Sequence, residues 1–247
     1  MKCIRRFRLI ALVATPFLGL FGQNTYAAMP EPFESQGFYN CVERSFSEEY
    51  PNEAISSSGL DSSQLAKIKN VDCKTERYNI SRNPNLSGLE LLISLTSLSL
   101  YRCGIQDIDL SNNPNLEVLE LSSNSRIIDL DLSSNINLKT LRLQGVSDLN
   151  WLDLSHNENL MELDLSYTSM PVPDLSNNHK IAYLNLSNKY LSSIDLSSIP
   201  SVVHLDLSEN LLTSISLLSN TELEVLNVSQ NKITSIDLAN NTKLRVL

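Results

Sequence analysis

Residues 202–210 read VVHLDLSEN, residues 181–189 before them read IAYLNLSNK, and residues 223–231 after them read LEVLNVSQN. Working outward, the pair of apolar residues separated by one position begins at Leu98, Leu119, Leu141, Leu163, Leu184, Leu205 and Leu226, at intervals of 21 or 22 residues. Leu247, the last residue, stands where the next pair would begin. A further apolar residue lies three before each: Leu95, Leu116, Leu138, Leu160, Ile181, Val202, Leu223 and Leu244. The position three beyond the second apolar residue holds Cys103, Asn124, Val146, Thr168, Lys189, Asn210 or Asn231. Self-similarity at a fixed period is the signature of a repeat architecture. Within each LxL the side chains alternate across a short strand, the leucines inward and the residue between them outward. One such unit cannot bury its leucines alone, but stacked units bury them against each other in a continuous core.

Written together, the pattern is LxxLxLxx(N/C/T)x(L/I), and it runs without a gap over residues 95–247. It resembles the leucine-rich repeat. The resemblance implies a repeat solenoid of the α+β class, a horseshoe with a parallel β-sheet on its concave face. A second period is nested in the first: (I/L)-D-L-S-x-N recurs about ten residues after each LxL, as at Leu130-Asp131-Leu132 and Leu152-Asp153-Leu154. Its asparagines are Asn113, Asn135, Asn157, Asn178, Asn220 and Asn241, with Ile199 the one break. Stacked asparagines can donate to and accept from turn backbones that would otherwise be buried unpaired, an internal ladder rather than a ligand contact. The doubling resembles a bacterial subclass with nested 21-residue repeats. Both halves of each repeat read as strand-like, which leads us to expect a flatter arc than in helix-backed repeats.

The front end departs from the period. Lys2, Arg5, Arg6 and Arg8, the apolar run Leu9–Phe21 and then Thr25-Tyr26-Ala27 have the order of a secretory signal peptide over residues 1–27. The apolar run is 13 residues, short of the ~20 that a spanning helix needs. Export is therefore expected, to a periplasm, a cell surface or the medium, with no membrane insertion once the leader is cleaved. Residues 28–59 show little periodicity and are left as an N-terminal segment without an assigned element. In residues 60–94 we expect an N-terminal cap and an irregular first repeat: Asp61 caps a short helix containing Leu65 and Ile68, and Val71-x-Cys73 fits the register of a first strand. The segment Ile80–Leu92, with Leu86, Leu89 and Leu92, carries an insertion around Asn83-Pro84. A helical cap leading into such repeats is similar to the layout of bacterial internalins. Cys73 holds the place of Leu100 in the next repeat, and Cys103 lies three residues beyond that place, about 10 Å away along the strand direction at ~3.3 Å per residue. A disulfide needs Cα atoms within ~6.8 Å, so Cys41–Cys73 is the expected bond and Cys103 a buried free thiol. The chain stops inside a repeat with no closing cap. That is read as a fragment end, as an edge that pairs with another copy, or as an end that frays.

Composition narrows the function. Removing the four basic leader residues from 19 Lys+Arg and 28 Asp+Glu leaves −13, a surface that repels phosphate backbones and anionic lipid. Nucleic acid is not an expected partner. There is no GxSxG, HExxH, CxxC or glycine-rich phosphate loop, and His156, His179 and His204 are scattered by the period. No enzyme activity, cofactor or metal is expected; the aspartates of Asp129-x-Asp131 are assigned to local backbone. Binding is the better reading. Three outward columns flank the LxL leucines: Ser97, Val118, Thr140, Glu162, Tyr183, His204 and Val225; then Ser99, Glu120, Arg142, Asp164, Asn185, Asp206 and Asn227; then Tyr101, Ser122, Gln144, Ser166, Ser187, Ser208 and Ser229. Those 21 positions approach the ~20–30 residues per side of a standard interface. The expected ligand-binding residues are Glu120, Arg142, Glu162, Asp164, Tyr167, Tyr183, His204 and Asp206, an acidic patch with aromatic anchors that suits a protein or peptide ligand, a basic one above all. The competing function is a structural envelope protein that self-associates through the C-terminal edge around Leu238 and Leu244.

Overall fold

The computed structural model describes residues 33–73 and 84–247. The signal-peptide assignment at 1–27 and the Ile80–Asn83 start of the irregular repeat lie outside the described residues. Eight three-residue strands form one parallel sheet in chain order: β1 Asn70–Asp72, β2 Ser97–Ser99, β3 Val118–Glu120, β4 Thr140–Arg142, β5 Glu162–Asp164, β6 Tyr183–Asn185, β7 His204–Asp206 and β8 Val225–Asn227. The register sets Val71 beside Leu98, then leucine beside leucine to Leu205 and Leu226. The middle residue of every strand is buried while its two neighbours are at least partly open. That alternation is what LxL demands of a pleated strand. Behind the sheet Leu100, Leu121, Leu143, Leu165, Leu186 and Leu207 continue the core, each fully buried. Burial of each such side chain is worth roughly 1.5–3 kcal/mol.

The convex side closes by hydrogen bonding rather than by a second sheet. Asn157 Nδ2 donates to the carbonyls of Leu132 (3.2 Å) and Asn135 (3.0 Å), and Asn178 repeats the pattern on Leu154 and Asn157. The ladder is thus internal, as the period implied, but it works by donation alone: the Oδ1 atoms of Asn113, Asn135, Asn157, Asn178 and Asn220 are buried and find no partner. Where the series breaks, the Ile199 carbonyl still accepts from Asn220 (3.0 Å). Among the described residues no convex segment is a strand.

A helical lid covers the first strand. Helix α1, Gln36–Glu49, begins at Ser35, whose hydroxyl accepts from the Phe38 N–H (3.3 Å). It buries Phe38, Tyr39, Val42 and Phe46, an apolar stripe at helical spacing. Cys41 on this helix is bonded to Cys73, 32 residues on. The Glu49 carboxylate accepts from the backbone N–H groups of Lys69 (3.1 Å) and Asn70 (2.7 Å), which occupies the outer edge of β1. Helix α2, Ser62–Leu65, has the reciprocal Asp61–Gln64 capping box; it ends before Ile68, which is buried in the turn that follows. From Val71 to Leu98 the spacing is 27 residues against 21 between Leu98 and Leu119. A short 3-10 turn at Leu89–Leu91 takes up part of the insertion, and Asn113 Nδ2 donates to Leu89 and Leu92 as it would to a regular turn. At the other edge, Leu226 N–H donates to the Val246 carbonyl (3.0 Å).

The concave face as candidate binding site

The strands are too short to vary in length, so the surface they offer is set by which residues flank each leucine. The second column is shaped by its own backbone. Asp164 Oδ1 accepts from the Ser166 N–H (2.9 Å) and hydroxyl (2.7 Å), and Asp206 Oδ1 does the same with Ser208 (2.8 and 2.6 Å). Asn185 and Asn227 use their amide oxygens in the same way on Ser187 and Ser229. The chain then turns through a left-handed residue, Arg102, Ser123, Gly145, Tyr167, Asn188, Glu209 or Gln230, with φ between 53° and 69°. These turns fold the serines back, and Ser122, Ser166, Ser187 and Ser208 are buried. The third column is therefore closed at these four serines, contrary to the outward placement that simple alternation implied, while Tyr101, Gln144 and Ser229 stay exposed. Alternation ends with the strand, two residues before the serine.

The first two columns remain open at their centre. Arg142 Nε donates to Glu162 Oε1 at 2.7 Å, and its guanidinium reaches Glu120 Oε2 at 4.0 Å. The sequence placed Glu120 and Asp164 on either side of this arginine. The register does set Asp164 opposite it, yet Asp164 is engaged elsewhere, its Oδ2 accepting from Asn185 Nδ2 (3.2 Å). The strong contact is the diagonal one to Glu162, because the long arginine reaches across to the first column. Asp206 Oδ2 accepts from Asn227 Nδ2 (3.0 Å). Tyr183 and His204 pair across β6 and β7 with ring centroids 6.2 Å apart. Burial and the nearby carboxylates of Asp164, Asp206 and Glu162 push the Tyr183 phenol above its usual pKa, so it stays a neutral hydroxyl donor through neutral and mildly alkaline pH. Tyr167 is about half exposed on its left-handed backbone (φ 57°), beyond β5. The face thus gathers Glu120, Arg142, Glu162, Asp164, Tyr183, His204 and Asp206 over five adjoining strands, with Tyr167 at their rim. The face carries four carboxylates, of which Glu162 and Glu120 reach its one guanidinium. Among the described residues no three His, Cys, Asp or Glu side chains are grouped to hold a metal ion.

Sequence reasoning did not anticipate the role of Lys189. It replaces asparagine in the turn that follows β6, is 7% exposed, and donates from Nζ to the Thr168 hydroxyl (2.6 Å) and to the carbonyls of Met170 (2.9 Å) and Thr168 (3.3 Å). Cys103 replaces asparagine in the same series; its thiol donates to the Cys73 carbonyl at 3.0 Å. It is free and buried, as expected. Burial, with the Asp72 carboxylate nearby, pushes that thiol up to about 12, which keeps it an unreactive hydrogen-bond donor.

A family model described as Leucine Rich repeats (2 copies) matches residues 200–240. Among solved structures, internalin C2 of Listeria monocytogenes is 21% identical, with 87% of this chain and 93% of that one covered and a TM-score of 0.71. An internalin of the same organism, inlF, is 21% identical, with 92% and 72% covered and a TM-score of 0.63. Of the functional domain of InlJ, also from Listeria monocytogenes, the chain spans only 59%, at 20% identity, 87% coverage of this chain and a TM-score of 0.49. No curated protein matches the sequence. At these identities the likeness is one of fold: the chain is a leucine-rich-repeat solenoid, internalin-like in architecture.

Proposed function

We propose that this leucine-rich-repeat chain is an exported binding protein that takes a protein or peptide ligand with a basic surface on the concave face of its sheet. The observation that carries the reading is the central patch. Tyr183 and His204 lie side by side on open backbone, with Glu162, Asp164 and Asp206 about them and Arg142 drawn aside by Glu162. Aromatic rings supply large, stiff contact area. Acidic neighbours favour a cationic partner and steer its approach. Tyr167, at the rim, would extend the contact, and Glu120 would hold Arg142 from its other side. Export is supported by the basic and apolar leader residues and by the Cys41–Cys73 bond, since disulfides persist in oxidising compartments. Adhesion to a host or envelope protein is the use that this arrangement suits. Selection of a random peptide library on the immobilised chain tests the reading. Enriched peptides should carry net positive charge and should fail to bind a Tyr183→Ala/Asp206→Lys variant; enrichment of neutral or acidic peptides, or binding indifferent to the variant, would overturn it.

A further inference from the structure

The convex side carries the one tryptophan of the chain. Trp151 is 61% exposed, at a repeat position filled elsewhere by Asp107, Asp129, Val172, Ser193, Ser214 and Ser235. The core beneath it is already closed by Leu149 and Leu152, so the ring fills no space that the fold requires. Beside it opens a recess of about 240 Å³ lined by Asp129, Asp131, Asp153, His156 and the edges of Leu130 and Leu132. Through the shared Asp129 and Asp131 the recess continues into a groove of about 630 Å³ that reaches Asp107, Asp109 and Glu90.

The charge along this apolar-based recess states what would cover it. Asp109, Asp131 and Asp153 accept, at 2.9 Å each, from the backbone N–H groups of Ser111, Ser133 and Ser155. Hydrogen bonds from those serines hold the three carboxyls below the usual carboxylate range. Among the described residues none of them has a lysine or arginine within ion-pair distance. The carboxylates do not converge on a point where a metal ion could sit. They stand one per repeat, so the matching charge is distributed along a chain. A guanidinium suits the open face of Trp151, since its planar cation stacks on an aromatic ring while its N–H groups reach carboxylates.

We propose that the recess beside Trp151 is a second docking surface, which takes an arginine-rich peptide segment with one guanidinium on the indole and its neighbours on Asp109, Asp131 and Asp153. The surface is on the opposite side of the solenoid from Tyr183 and does not depend on the concave reading. Because Trp151 is the sole tryptophan, its fluorescence reports on this place alone. The test is a titration of the full chain with hexa-arginine, followed by tryptophan emission. Asp131→Asn/Asp153→Asn is the informative variant, because asparagine makes the same backbone bond in this protein at Asn185 and Asn227 and the fold is retained. The expected result is a saturable change in emission, a midpoint at least tenfold weaker in the double asparagine variant, and an unaltered midpoint in Tyr183→Ala/Asp206→Asn. No saturable change, an equal midpoint in the asparagine variant, or loss of the response in the concave variant would each overturn it.

Discussion

Lys189 is the residue at which the repeat departs furthest from its own rule. Its neighbours in the series, Asn124, Asn210 and Asn231, bridge successive turns with a neutral amide; Asn210, for example, donates to Leu186 and Leu207 and accepts from the N–H of Lys189 and of Leu191. Lys189 instead places an ammonium among neutral acceptors, and burial pulls its pKa from 10.5 down to about 8. The folded state therefore disfavours the charged form. Below about pH 8 both folded and unfolded chains hold this proton and stability is flat; between about 8 and 10.5 only the unfolded chain holds it, so stability rises with pH. Lys189→Asn should accordingly stabilise the protein at pH 7, by at most about 3 kcal/mol because the hydrogen bonds of the ammonium to Thr168 and Met170 are lost with it, and its advantage over the parent should shrink as pH rises through that window. Denaturant melts of both proteins at pH 7, 9 and 10.5 check this; a gap constant with pH would contradict it. The register put Lys189 in the asparagine series from the sequence alone. What it could not give was the burial of the amine, because a lysine stem long enough to reach Thr168 and Met170 could equally reach solvent.

At the scale of elements, the strands were legible and the lid was only half so. LxL at a near-constant interval fixes the strand, its face and its partner together, which is why Val71 and Cys73 could be set in register from two residues. Helix α1 was missed because its buried face, Phe38, Tyr39, Val42 and Phe46, is interleaved with Glu and Ser in a segment read for the 21-residue period rather than the helical one. The cysteine pairing was recoverable without that helix, since distance along the strand excluded Cys103. The bond between α1 and the end of β1 closes a loop of 32 residues, which restricts the unfolded chain by about 3–4 kcal/mol on the chain-entropy account. Cys41→Ser should lower the urea midpoint accordingly, and the lid should be the first part to exchange its amides. An unchanged midpoint would show that the lid contributes nothing to the stability of the repeats.

The whole molecule is an acidic scaffold with its variation confined to positions that the core leaves free. Sequence identified the central concave residues because outward positions of a repeat can be listed from its period. The closing of the third column at its buried serines was not visible, since it follows from the left-handed turns that Asp164 and Asp206 help to set. Nor was the diagonal pull of Glu162 on Arg142, which depends on side-chain reach and not on register. That pull leaves Tyr183, His204, Asp164 and Asp206 facing outward without a cation of their own at the centre of the sheet. The measurement that tests this most directly is calorimetric titration of a library-selected peptide into the parent and into a Glu162→Gln/Tyr183→Ala/Asp206→Asn variant at two salt concentrations. We expect the variant to bind at least a hundredfold more weakly, about 2.7 kcal/mol, and the parent to weaken as salt rises. Equal affinity in the two proteins would contradict the concave face as the binding site.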